Sequence, residues 1–327
     1  MSDKTGIQWT DATWNPIRGC SRVSEGCRHC YAEGIAARFS GPGKPYEGLA
    51  RFVDTPEGRE ARWTGEVRMV PGALDQPLHW RRPRRIFVNS MSDLFHEGLP
   101  DETIEAIFGI MAACPAHTFQ VLTKRPARAA KFMERVVEMD APTICENACQ
   151  ALEEAGIETG CGSAFDPVEW PLPNVWMGTS VETQATADER IPLLLATPAA
   201  VRFVSYEPAL GPVDFEHDTE IGVMSWLRRY ELGSEVAERI DWLIAGGESG
   251  HHARPCDVAW LRSARDQCAA AGVPFFCKQL GSWQRETSYP GDFGRSLPTP
   301  RDRHGSDPDE WPEDLRVRQF PESRAGG

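Results

Sequence analysis

Three cysteines in the stretch GCSRVSEGCRHCYAE are the first residues whose types and spacing point to chemistry. Six residues separate Cys20 from Cys27, and two separate Cys27 from Cys30. A C-x-x-C pair can place two thiolates on one metal, and a third thiol at this distance can reach the same centre across a loop. A closed structural zinc site takes four ligands, and the nearest fourth donor, His29, lies between two of the cysteines. Three thiolates are better suited to a cubane [4Fe–4S] cluster with one open iron; a structural zinc site and reduced thiols are the alternatives.

The composition is that of a globular protein with reduced thiols. The chain has 327 residues, is 41% hydrophobic and carries a net charge of −13. It has no apolar run long enough to span a membrane, and its first residues lack the apolar segment of a secretory signal. We therefore expect a cytoplasmic protein without a membrane partner, in which close cysteines bind metal more often than they form disulfides. The acidic charge argues against a general polyphosphate binder but leaves room for a local basic patch such as HWRRPRR, residues 79–85.

Short apolar runs bounded by turn residues recur along the chain, as expected of strands buried on both faces of a parallel sheet. Helical patterns follow several of them, with apolar residues on one stripe, as in residues 100–114 and 257–272. Strand and helix in alternation predict βαβ units. Six or seven such units fit a partial (β/α) barrel better than a two-part Rossmann arrangement, since no GxGxxG follows the first strand. The predicted strands span residues 13–20, 84–91, 117–125, 174–182, 201–210, 241–250 and 273–281.

Three segments fall outside this pattern. Residues 34–80 form a long excursion after the cysteines, and residues 141–174 form an insertion with Cys145, Cys149 and Cys161, which are candidates for a second metal site. Residues 284–327 are rich in Pro, Gly, Asp and Arg, which is typical of an irregular tail. We therefore predict one barrel domain over residues 1–283 with two insertions, followed by a C-terminal extension.

Polar residues end nearly every predicted strand. In a parallel barrel these ends lie on one face, where active sites sit, so they predict a shared ligand-binding mouth; strand-end capping is the alternative. Asp93 and His96 follow the second strand and could bind substrate or relay protons, although Asp93 could equally cap the next turn. Lys124 and Arg125 end the third strand and suit a phosphate or carboxylate, or else form salt bridges.

The chain resembles the radical S-adenosylmethionine (SAM) superfamily, in which a three-cysteine loop follows the first strand of a (β/α) barrel. The usual spacing there is C-x3-C-x2-C, whereas the first gap here has six residues. More specifically, it resembles a phage- and bacterium-associated family of uncharacterised radical-SAM-like proteins, likened to the spore photoproduct lyase group and encoded near a three-Cys-motif partner protein. The matching stretches are IQWTDATWNPIRGCSRVSEGCRHCYAE, FVNSMSDLFHE, LTKRP, VSYEPALGPV, AGGESGHHARP, GVPFFCKQLG and PEDLRVRQFP.

This resemblance implies a set of roles. Cys20, Cys27 and Cys30 would hold the [4Fe–4S] cluster, and the amino and carboxylate groups of SAM would bind its fourth iron. His29 would lie against the adenine. Reduction of the cluster would cleave SAM to a 5′-deoxyadenosyl radical, which removes hydrogen from a substrate, while the protein positions groups and excludes water. The other candidates for binding SAM are Ser180, Glu182, Glu207, Gly246, Gly247 and Glu248.

The expected function is thus that of a radical SAM enzyme acting on a nucleotide or nucleic acid. Asp93, His96 and Lys124 are the candidate catalytic residues. The expected partners are SAM, an electron donor such as flavodoxin or ferredoxin, and the three-Cys-motif partner protein. The alternative is a non-catalytic protein that binds zinc or an iron–sulfur cluster and acts through a partner. These substrate and partner expectations rest on the resemblance, with the basic residues near the strand ends in support.

Overall fold

The structure is a computed structural model that describes residues 5–56, 58–138, 141–157, 170–219, 222–232, 235–287 and 294–322. The strands in chain order are β1 (Ala12–Trp14), β2 (Ile17–Arg18), β3 (Ala50–Thr55), β4 (Gly58–Trp63), β5 (Arg68–Met69), β6 (Arg85–Val88), β7 (Thr118–Thr123), β8 (Val175–Val181), β9 (Val201–Tyr206), β10 (Glu216–Thr219), β11 (Gly222–Ser225), β12 (Tyr230–Leu232), β13 (Glu235–Ala237), β14 (Trp242–Gly246), β15 (Cys256–Asp257), β16 (Phe275–Gln279), β17 (Gln284–Glu286) and β18 (Arg295–Ser296). The helices are α1 (Tyr31–Arg38), α2 (Asp101–Ala112), α3 (Pro126–Glu138), α4 (Ala141–Glu154), α5 (Gln184–Ala196) and α6 (Val258–Ala271).

Seven parallel strands form the main sheet, in the order β1-β6-β7-β8-β9-β14-β16. Each predicted apolar run supplies one of these strands, and the predicted run at residues 13–20 also contains the short strand β2. The α/β class and the partial (β/α) barrel of seven parallel strands are therefore confirmed. The central strands β8, β9 and β14 are buried at every position, as expected when both faces of a parallel sheet are covered.

Local sequence explains where the helices begin and end. Helix α6 starts at Asp257, whose carboxylate accepts a hydrogen bond from the backbone N–H of Ala259, and stops at Gly272, which has a φ of 65°. A side-chain oxygen at the start and a left-handed glycine at the end are favourable caps. Helix α2 carries Asp101 and Glu102 in its first turn and buries its apolar stripe, as predicted.

Two regions differ from the predicted alternation of strand and helix. The excursion at residues 34–80 contains an antiparallel hairpin of β3 and β4. The described residues between β9 and β14 form two hairpins, β10–β11 and β12–β13, where a crossover helix would be usual in a βαβ unit.

The chain divides into two compact units. The first comprises Met1–Met177 and Thr197–Ala200, and the second comprises Gly178–Ala196 and Val201–Gly327. The described part of the tail, residues 294–322, thus belongs to the second unit, and the predicted domain boundary at residue 284 stays a prediction. Among the helices of the described residues, none has the length and apolar character needed to cross a bilayer.

Candidate functional site

The cysteine loop, residues 20–30, begins directly after β2 in the first unit and ends at the start of α1. Gly19, with a φ of 95°, turns the chain into the loop, and a Cβ added there would lie 2.1 Å from the backbone oxygen of Glu66. Only glycine fits this position without a backbone shift. Cys27 ends a short 3-10 turn, and Cys30 is the residue that precedes the first turn of α1.

The thiols of Cys27 and Cys30 lie close enough to Cys20 to affect its ionisation. Burial raises the pKa of Cys20 to about 12, and the negative charges of Asp93, Cys30 and Cys27 contribute to this rise. The guanidinium of Arg125 acts in the opposite direction. Burial also raises the pKa of Cys30, whereas the backbone N–H groups of Glu33 and Ala32 in α1 oppose this rise. A bound cation is the usual means of keeping such neighbouring thiols ionised.

The donor set of the loop therefore fits a three-thiolate ligand set in its chemistry. Its side-chain arrangement is looser: among the described residues, no group of three or more His, Cys, Asp or Glu side chains stands where it could hold a metal ion. His29 is half-buried within the loop. The assignment of Cys20, Cys27 and Cys30 as metal ligands, and of His29 as a SAM contact, stays a prediction.

A hydrogen-bonded group connects the cysteine loop to the ends of β6 and β7. The backbone N–H of Gly98 donates to Nδ1 of His96 at 3.1 Å, so the neutral ring carries its proton on Nε2. That Nε2–H is 2.9 Å from Oγ of Ser21, which also accepts a hydrogen bond from Arg125 Nη2 at 2.7 Å. Burial, followed by the charge of Arg125, lowers the pKa of His96 and keeps the ring neutral near pH 7. His96 and Arg125, both singled out from the sequence, are thus held next to Cys20 by their hydrogen bonds to Ser21.

Asp93 is fully engaged by protein donors. Its Oδ1 accepts hydrogen bonds from Thr123 Oγ1 (2.7 Å) and from the backbone N–H of Phe95 (3.0 Å). Its Oδ2 accepts from the backbone N–H of Lys124 (3.0 Å) and from Arg125 Nη1 (3.1 Å). Asp93 therefore caps the turn that follows it, which is the second of the two roles that the sequence allowed. It also holds Arg125 in place.

Arg125 and Lys124 behave differently. Arg125 is buried and forms ion pairs with Asp93 and Glu97, so the salt-bridge alternative holds for this residue. Lys124 is half-buried next to it. The structure brings together Cys20, Asp93 and His96, with Arg125 as the charged group that connects them.

A second clamp on the cysteine loop involves two residues that sequence reasoning missed. Arg22, in the loop, forms a bidentate pair with Glu33 of α1, through Nε at 3.0 Å and through Nη2. The buried Glu33 also accepts a hydrogen bond from the backbone N–H of Trp63 at 2.7 Å, which connects α1 to β4. An acid three positions after Cys30 and an arginine two positions after Cys20 were visible in the sequence, but their pairing depends on how the loop folds back.

The predicted SAM-binding residues of the second unit are already paired with protein groups. Glu182 is buried with Arg190, which lies 3.3 Å from Oε2 and also donates to the backbone oxygen of Ser180 at 2.8 Å. The carboxylate of Glu248 accepts hydrogen bonds from Arg254, from Nη2 at 2.8 Å and from Nε at 2.9 Å. Buried carboxylates in such pairs are neutralised by the chain itself.

Glu207 keeps more access to solvent than these two. Its carboxylate lies 2.5 Å from Lys278 Nζ, and its side chain is 17% exposed, compared with 2% for Glu182. Among these acids it is the one best placed to exchange a protein cation for the ammonium group of a ligand.

The glycines after β14 serve packing within the chain. A Cβ at Gly247 would lie 2.3 Å from the backbone oxygen of Leu280 and 2.8 Å from Cys256 Cβ. A Cβ at Gly246 would lie 3.1 Å from the backbone oxygen of Gln279. The close approach at these glycines is therefore made by the neighbouring strand β16 and the residues after it. Binding of SAM by Gly246 and Gly247 stays a prediction.

The remaining cysteines divide into core and insertion. Cys256, Cys268 and Cys277 are buried, as expected of small hydrophobic residues. Cys114 is also buried, and Cys149 in α4 is half-buried. Cys161 and the side chain of Cys145 lie outside the described residues, so the predicted second metal site stays untested.

Comparisons with known proteins place the chain in one family. Neither the curated proteins nor the solved structures gave a match to it. A family model described as "Protein of unknown function (DUF5131)" matches residues 4–316, and the chain therefore belongs to the DUF5131 family.

Proposed function

We propose that this protein is a radical SAM-type iron–sulfur enzyme in which Cys20, Cys27 and Cys30 hold a [4Fe–4S] cluster. The observation that carries the proposal is that one clamped loop brings the thiols of Cys27 and Cys30 near the thiol of Cys20. Bound to these three cysteines, a reduced [4Fe–4S] cluster would supply the electron needed to cleave SAM to a 5′-deoxyadenosyl radical.

The residues around the loop support this function by fixing the thiols. Arg125 places a buried positive charge near Cys20, which favours its thiolate. The start of α1 does the same for Cys30, because helix N-termini favour negative charge. Ser21 and Arg22 anchor the loop to Arg125 and Glu33, so the sulfurs are held by a preorganised backbone. His96, neutral and bonded to Ser21, is available for proton transfer near the loop.

SAM would be bound by Ser180, Glu182, Glu207 and the Gly246–Glu248 turn, with Glu207 the most accessible acid. The proposed substrate is a nucleotide or nucleic acid, and Lys124 and the exposed Arg81 and Arg82 would meet its phosphates. The proposed electron donor is a flavodoxin or ferredoxin.

A second candidate function, a metal-binding protein that acts through a partner, is favoured by the surface of α1. Tyr31, Ile35 and Phe39 lie one helical turn apart and are 55%, 38% and 49% exposed. An exposed apolar stripe of this kind often marks a protein-binding surface. In this second function, the three-Cys-motif partner would dock on it.

SAM binding separates these functions. Reconstituted protein would be tested anaerobically for SAM binding and, with dithionite, for 5′-deoxyadenosine. Glu207→Gln should weaken SAM binding about tenfold or more, because a charged hydrogen bond is lost. Glu216→Gln, which removes a carboxylate paired with Arg228 in the same unit, is the matched control and should bind SAM normally. A protein that holds a cluster but neither binds nor cleaves SAM would support the partner function.

A further inference from the structure

Three loops of the second unit meet around an exposed tryptophan. Trp283 is 52% exposed, and it lies in the loop that follows β16. A second loop, residues 247–255, follows β14, which is the parallel neighbour of β16. The third is residues 300–306 of the tail. The first two loops lie at the carboxyl edge of adjacent parallel strands, where α/β sheets bind their ligands.

Ser282, the neighbour of Trp283, holds the three loops together. Its backbone N–H donates to the oxygen of Glu248 at 2.9 Å, and its Oγ accepts from the backbone N–H of Gly250 at 2.9 Å. The same Oγ donates to the backbone oxygen of Arg303. A further bond, from the Leu280 N–H to the Gly305 oxygen at 2.9 Å, joins the loop after β16 to the tail. Trp283 is thus presented on a hydrogen-bonded base.

Apart from Trp283, the exposed side chains of these three loops are histidine or arginine. His251 and His252 are exposed, with ring centroids 4.7 Å apart, and Arg303 and His304 are exposed on the tail. Arg303 forms no ion pair within the described part of the chain. The two acids of the three loops are both engaged by the chain: Asp302 is half-buried and bonded to Ser306, and Glu248 is buried with Arg254. This surface is therefore locally positive on a chain of net charge −13.

We propose that Trp283, His251, His252, Arg303 and His304 form a binding surface for single-stranded nucleic acid. An exposed indole offers a flat face on which an unpaired base stacks, and nearby cations neutralise the phosphates on either side. The bases of a duplex are stacked on each other and are not free to do this, so the surface fits a single strand. This surface would add a strand-binding site to the proposed function. Its role in choosing the enzyme's substrate rests on that function. The surface itself contains none of the three cysteines of the loop, so strand binding can be tested independently.

The test is fluorescence anisotropy of a labelled 12-nucleotide oligo(dT) at low salt, with the full-length protein. Trp283→Ala should weaken binding about tenfold to a hundredfold, as expected for the loss of one base stack. Trp283→Phe should restore part of the affinity. Phe52→Ala, which removes an exposed aromatic side chain of β3 in the first unit, should bind as the wild type does. Arg303→Ala should reduce the slope of log affinity against log salt by about one.

The proposal is overturned if wild-type protein does not bind the oligonucleotide, if Trp283→Ala binds it equally well, or if a duplex of the same length binds as tightly. Cys27→Ala keeps this test apart from the iron–sulfur function. It should lose the cluster and retain strand binding. Wild-type protein that binds the strand but holds no cluster contradicts only the proposed function, and wild-type protein that holds the cluster but does not bind the strand contradicts only the strand-binding surface.

Discussion

The pair formed by Arg22 and Glu33 shows how single residues fix the cysteine loop. Glu33 is 2% exposed, and its negative charge is matched by Arg22 together with the backbone N–H of Trp63. A buried carboxylate without its cation carries a large desolvation penalty. The clamp thus depends on both members.

We predict that Arg22→Ala lowers the free energy of unfolding by about 3 kcal/mol, because it leaves Glu33 buried without its partner. Urea unfolding followed by circular dichroism measures this. Arg28→Ala is the control, because Arg28 forms an exposed pair with Glu25 in the same loop. This substitution should lower the free energy of unfolding by less than about 0.5 kcal/mol. Equal losses in the two variants would show that the buried pair does not hold the loop.

Two buried histidines predict a dependence of stability on pH. Burial lowers the pKa of His96 and of His117 in the folded protein, with the charges of Arg125 and Arg84, respectively, adding to the effect. The unfolded chain therefore binds protons more readily, and stability is lost as the pH falls below about 6.5, the unfolded value.

Urea unfolding at pH 7.5 and 5.5 should show this loss, with a slope of at most about 1.4 kcal/mol per pH unit for each histidine. His117→Gln should flatten the slope, because it removes one of the two titrating rings. A slope unchanged by this substitution would contradict the assignment.

What the sequence reveals at this scale is the residue types and not their partners. The three cysteines could be singled out because thiols at that spacing have few uses other than metal binding where thiols stay reduced, as we expected for this chain. Ser21 and Glu33 could not, since serine and glutamate are common on surfaces and their contacts join residues far apart in the chain.

At the scale of elements, the turn after β14 is shaped by the close approach of the chain to itself. A Cβ at Gly247 would overlap the backbone oxygen of Leu280, which cannot move as the end of a flexible side chain can. Gly247→Ala should therefore cost about 1–3 kcal/mol of stability through forced backbone shifts.

Thermal unfolding of Gly247→Ala and of Gly211→Ala tests this expectation. A Cβ at Gly211 would meet only Thr183 Cγ2, at 3.8 Å, so this control should unfold close to the wild type. A wild-type unfolding midpoint for Gly247→Ala would show that the turn can hold an added methyl group. Such free space is what a glycine in contact with a ligand would have.

The main strands could be predicted because burial on both faces leaves continuous apolar runs, as in β8 and β14. The β3–β4 hairpin could not, because its sequence, ARFVDT followed by GREARW, is charged and mostly exposed or half-exposed. Pairing between two such strands is set by the turn and by cross-strand contacts, which leave a weak signal in the sequence.

At the scale of the whole molecule, the tail is a packed part of the second unit. We expected an irregular segment from its composition, and its described residues are indeed largely irregular. They nevertheless bury Trp311 and Leu315, and the Trp311 Nε1–H donates to the backbone oxygen of Gly305 at 2.9 Å. The composition of the tail predicted an irregular segment because apolar residues are scarce in it. Two buried apolar side chains are nevertheless enough to anchor the segment to the unit.

Trp311→Ala should lower the free energy of unfolding by about 3–5 kcal/mol, as for other buried tryptophans. Trp283→Ala, an exposed tryptophan in the same unit, is the matched control and should change it by less than about 0.5 kcal/mol. Denaturant titration of both variants gives the comparison. Similar losses, or none in either, would show that the tail does not stabilise the unit.

The central claim is that the cysteine loop holds an iron–sulfur cluster, and the most direct measurement is the iron and sulfide content after anaerobic reconstitution. We predict about four irons and four sulfides per chain, lost in Cys27→Ala and retained in Cys268→Ala, which removes a buried core thiol. A single tightly bound zinc, or iron retained equally by both variants, would contradict the account.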